Sequence, residues 1–107
     1  MKQTDIDAVN GELAAWLDAG ALVWSYHASH RQFTLRLHRV GERGNLHVVC
    51  TGCSWLQAPP QWTHAHLQLA SIPTDKPFGE CVLEDREAKC TVRCTRVTLE
   101  RDVEPLY

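Results

Sequence analysis

Asn45 to Trp55 reads N-L-H-V-V-C-T-G-C-S-W. Leu46, Val48 and Cys50 alternate with His47 and Val49, the two-residue period of a strand with one face against a core. Cys50 and Cys53 then form a C-x-x-C around Gly52, a spacing shared by metal knuckles, redox pairs and plain turns. Gly52 and Trp55 lead into W-L-Q-A-P-P-Q-W, whose two prolines cannot sit in a central strand.

Working outward, the same period recurs on both sides. Ala21–Ala28 sets Leu22, Trp24 and Tyr26 against Val23, Ser25 and His27. After the turn S-H-R-Q, Phe33, Leu35 and Leu37 alternate with Thr34, Arg36 and His38. The connection V-G-E-R-G-N has hairpin-turn composition. Downstream, Thr63–Ala70 turns Ala65, Leu67 and Leu69 inward, with His64, His66 and Gln68 outward. Phe78–Glu84 makes a fifth strand with Cys81 and Leu83 inward. Lys89–Arg101 makes a long last one, starting on Cys90, Val92 and Cys94 and switching phase to Val97 and Leu99, which predicts a bulge near Thr95–Arg96.

Only the N-terminus has helical spacing. Ile6, Val9, Leu13, Trp16 and Leu17 form one stripe over residues 4–19, with Thr4 as the expected N-cap and Gly20 as the stop. One helix followed by about six short strands predicts a single α+β domain over 1–107, the helix packed on one face of an antiparallel meander. The cystatins, in which a sheet wraps around a helix, fit this order by analogy, and the analogy carries no function.

Composition narrows the function classes. The 107 residues carry a formal net charge of −2, no footprint for nucleic acid or an anionic membrane. No segment approaches the ~20 apolar residues of a membrane span, and M-K-Q-T-D-I-D has no signal-peptide run. Five cysteines without such a run point to free thiols in a reducing cytoplasm. No G-x-S-x-G, Walker motif or H-E-x-x-H is present.

Two groups of side chains stand out. The first is sulfur. Cys50, Cys53, Cys90 and Cys94 would be the four ligands of a zinc site. Cys90 and Cys94, four apart on one strand, lie about 13 Å from each other, too far to share a metal. Cys90, Val92 and Cys94 therefore read as core, and zinc through Cys50 and Cys53 stands as an alternative cofactor reading. The second is histidine, six in all. In the registers above, His27, His38, His47, His64 and His66 share the outward side with Arg36 and Arg93, while His30 falls in a turn. His and Arg together suit a carboxylate, a phosphate or a protein surface. Trp55 and Trp62, flanking A-P-P, would form its rim.

The expectation is a non-catalytic cytoplasmic binding protein, self-associating or holding a protein partner, with a small anionic ligand as a further candidate. Its surface would be Arg36, His38, His47, His64, His66, Arg93, Trp55 and Trp62. The zinc module is one alternative. A small enzyme with a histidine base in a sheet-lined pocket is the other.

Overall fold

The computed structural model describes residues 1–39, 41 and 44–101. Among the described residues one helix, α1 (Gln3–Ala14), precedes nine strands: β1 (Gly20–His27), β2 (Gln32–His38), β3 (Asn45–Thr51), β4 (Trp55–Gln57), β5 (Gln61–Trp62), β6 (Gln68–Ile72), β7 (Glu80–Asp85), β8 (Cys90–Cys94) and β9 (Arg96–Arg101). The antiparallel α+β class is the one expected. The strands form two sheets, ordered β5-β1-β2-β3-β9 and β4-β8-β7-β6.

Two strands of the sequence reading split where the chain changes sheets. The phase switch at Thr95 is this crossing rather than a bulge: β8 pairs with β7 in one sheet and β9 with β3 in the other. Beside it, β3 passes through Gly52 into β4. Thr95 N–H donates to Thr51 O at 3.0 Å, tying the two corners together. Gly52 has φ +71°, and a Cβ there would lie 2.5 Å from Thr95 Oγ1. Only glycine fits that conformation at that approach. The Pro-Pro loop contributes the short β4 and β5, which the sequence reading left as coil.

The core lies between the sheets. Phe33, Leu35 and Leu37 of β2 and Leu46, Val48 and Cys50 of β3 face Leu83 of β7 and Cys90, Val92 and Cys94 of β8, all at 1% exposure or less. Each large apolar side chain buried this way contributes roughly 1.5–3 kcal/mol. Ile6, Val9 and Leu13 of α1 seal the open side against β6 and β9.

The helix differs from its expected form at both ends. Its N-cap is Lys2, without a side-chain capping bond, so Thr4 does not cap. It stops at Ala14, and turns carry the chain to Asp18, whose φ of 70° supplies the left-handed residue assigned to Gly20. The reason is tertiary. Asp18 N–H donates to Ala65 O, and Ala65 N–H to Ala19 O, both at 2.9 Å. Leu17 is therefore half exposed, while Trp16 packs under the Arg39 guanidinium at 4.8 Å. Gly20 starts β1, where the His38 ring fills the place of a Cβ.

Candidate functional site

The outer face of the five-stranded sheet has the least ordinary chemistry. In register, Leu22 of β1 lies opposite Arg36 of β2, Arg36 opposite His47 of β3, and His47 opposite Glu100 of β9. A bulge between Val23 and Ser25 inserts Trp24 as an extra residue on this face. The expected phase of β1 is thereby corrected: Ala21 and Val23, not Leu22 and Trp24, face the core. A period-two reading cannot foresee one inserted residue, and the large apolar Trp24 pulled the pattern the wrong way.

Trp24 organises the face. The Arg36 Cζ stands 4.0 Å above its ring centroid, within cation–π range, and the His47 ring lies 5.5 Å away, tilted at 49°. Arg36, His47, Thr34 and Val49 all point outward from the sheet, yet none is more than 8% exposed. Desolvation first, and the neighbouring Arg36 charge second, hold the His47 pKa below its ordinary value, with Glu100 opposing. His47 is thus neutral near pH 7, and its buried Nε2 has no hydrogen-bond partner among the described residues.

The remaining candidates divide among different places. His38 shares the outer face of β2, exposed, beside Gly20 and Asn45. His64 and His66 do not lie on a strand, because β6 begins only at Gln68. His64 has φ 55°, is exposed, and approaches Asp18 with Nδ1 3.8 Å from Oδ1. It meets His38 again only across a shallow hollow lined by Leu17, Asp18, Arg39 and Thr63. The His66 ring is exposed near Gln68, in a hollow beside α1. Arg93 belongs to the other sheet, exposed on β8 opposite Trp55. The single histidine–arginine face of the sequence reading is therefore several surfaces, because the strands fold into two sheets and one assigned strand segment is a loop.

Trp55 is 55% exposed, whereas Trp62 turns inward, its Nε1 donating to Asp85 Oδ2 at 2.9 Å. The two do not form one rim. Asp85 is a residue the sequence reading missed. It sits 2% exposed at the end of β7 and also accepts from His66 N–H at 2.8 Å and Ala88 N–H at 3.3 Å. Its signal in the sequence, an Asp in the charged turn E-D-R-E, is indistinguishable from a solvated one.

All five cysteines are free and buried. Cys81 of β7 and Cys94 of β8 lie directly opposite with sulfurs 3.7 Å apart, and Cys94 bonds onward to the Cys50 thiol. Cys53 Sγ donates to Cys50 O at 3.5 Å. Cys81, not Cys90, thus completes the sulfur group. Cys90 is at the far end of β8 opposite Asp85, where burial and that carboxylate push its thiol up to about 12. Bonding to Cys50 raises Cys94, bonding to Cys94 raises Cys81, and burial raises Cys53. These are protonated packing groups, the opposite of the lowered thiol that nucleophilic or redox chemistry uses. Among the described residues no group of three or more His, Cys, Asp or Glu side chains is placed to hold a metal ion.

Three further observations bound the chemistry. The hollows beside His66 and His38, and a groove between α1 and β9, are lined without His47. No helix among the described residues is long and apolar enough to cross a membrane. The chain matches no protein-family model, no curated protein and no solved structure.

Proposed function

We propose that this chain is a small non-catalytic interaction protein that self-associates through its five-stranded sheet, working from the outer face around Trp24, Arg36 and His47. One observation carries the reading. An arginine and a histidine on the outward side of a sheet are over nine-tenths removed from solvent and grouped on one indole. A merely solvated face keeps its charged heads in water, since desolvating them is costly. Stacked Trp and Arg are the residue types that concentrate binding energy at protein interfaces. The five buried, free thiols suit a reducing compartment, and we place the protein in the cytoplasm on that ground.

The test is hydrogen exchange at low and high protein concentration, paired with sedimentation equilibrium. Self-association through this sheet predicts concentration-dependent protection confined to β1, β2, β3 and β9. Protection confined to the four-stranded sheet, or a monomer at every concentration, overturns the reading.

A further inference from the structure

The edges of the two sheets are not equally exposed to pairing. An open strand edge is a template for another strand, and folds protect their edges by shortening or covering them. At the outer ends of the sheets, β4 has three residues and β5 has two. The edge of β6 is occupied by the Asn10 side chain of α1, which donates to Leu69 O and accepts from Leu69 N–H, both at 2.8 Å. β5 covers β1 only at Ala21 and Leu22, and the bulge at Trp24 breaks the rest of that edge, which leaves β9, six residues long and paired among the described residues with β3 alone, as the longest regular edge.

The free side of β9 can be identified. Val97 N–H points away from β3, onto Met1 Sδ at 3.3 Å. A thioether is a weak acceptor, a poor substitute for a carbonyl. By the alternation of an antiparallel ladder, Leu99 turns its N–H and C=O to the same side. Between this edge and α1 runs a groove of about 930 Å³, partly lined by Val9, Val97, Thr98 and Phe78. Phe78 is 80% exposed there, the most exposed large apolar side chain among the described residues.

What fits this edge is written in its own sequence. Resting on the self-association proposed above, we infer that β9 is its seam: two copies pair β9 to β9, antiparallel, about a two-fold axis at Thr98. Arg96-Val97-Thr98-Leu99-Glu100 is self-complementary about its centre. The two-fold sets Arg96 opposite Glu100 of the second copy, twice, on the outer face, and Val97 opposite Leu99, twice, on the inner face. Val97 and Leu99 are the residues whose backbone groups face the free edge, so each such pair exchanges both hydrogen bonds and Thr98 meets Thr98 at a non-bonded position. Arg96 and Glu100 are exposed, and neither makes a described ion pair. The contact is isologous, as a closed dimer requires. A ten-stranded sheet results, and the Glu100 beside His47 joins the two Trp24–Arg36–His47 faces across the seam.

Sedimentation of the full chain, with melting curves to confirm folding, tests the pairing. Wild type is expected to dimerise. Arg96→Glu sets like charges opposite each other twice and should raise the dimer dissociation constant about tenfold or more. Arg96→Glu combined with Glu100→Arg restores the complementarity and should restore the dimer. Independently, Thr98→Cys should form an intermolecular disulfide under air oxidation, because the two-fold brings that position against itself. A dimer indifferent to Arg96→Glu, a charge swap that fails to rescue, or a Thr98→Cys dimer that does not cross-link overturns the β9 seam while leaving self-association standing. A wild type that is monomeric at every concentration overturns both.

Discussion

Asp85 is where a single substitution should cost the fold most visibly per atom removed. Its carboxylate holds Trp62 Nε1 at 2.9 Å and His66 N–H at 2.8 Å, and so fastens the segment between β5 and β6 to the end of β7. Hydrogen bonds to a charged group contribute roughly 1.5–3 kcal/mol each. Asp85→Ala loses both, together with the longer bond from Ala88 N–H, and leaves three donors behind, but it also removes a buried carboxylate and returns part of its desolvation cost. The balance is a loss of about 3 kcal/mol, taking the lower half of that range for two bonds. With an unfolding entropy of about 2.1 cal/mol/K per residue over 107 residues, the melting temperature should fall by about 13 °C. Calorimetry at neutral pH measures it. Asp85→Asn can keep the one oxygen that accepts from both Trp62 and His66, and should fall less far than Asp85→Ala; a cycle with Trp62→Phe should show a coupling of about 1.5 kcal/mol. An Asp85→Ala protein melting within about 3 °C of wild type, or a coupling of zero, would refute the clamp.

Four other outcomes are expected. Folded His47 resists the proton that the unfolded chain takes up near pH 6.5, so the unfolded state binds more protons below that point and stability falls as the pH drops through it. Melting temperatures across that range should slope accordingly, and His47→Gln should flatten the slope. None of the five thiols should react with an aromatic disulfide reagent in the native protein, and all five should react in denaturant. Removing zinc with a chelator should leave the melting curve unchanged, since no described ligand set depends on it. Gly52→Ala should destabilise by about 2 kcal/mol in urea titration, combining a left-handed backbone with the Thr95 contact.

Much of the architecture follows from local pattern. Period-two alternation identified the inward side chains of β2, β3, β7 and β8, and the helical stripe identified Ile6, Val9 and Leu13, because each element has one core-facing side whatever it packs against. The rise per residue along a strand was enough to set Cys90 apart from Cys94 before any packing was known. Alternation carries no information about which sheet a strand joins. The crossings at Gly52 and Thr95, the bulge at Trp24 and the loop at His64 each depend on contacts distant in sequence, such as Thr95 to Thr51 and Asp18 to Ala65. For the same reason the histidines that shared one side on paper are spread over separate surfaces. Asn10 and Asp85 became structural clamps only once their partners, 59 and 19 or more residues away, were brought beside them. Residue type and spacing determined what could be buried. The meeting of strands remote along the chain determined that an outward arginine and histidine would be buried too, and that β9 would be left with an open edge.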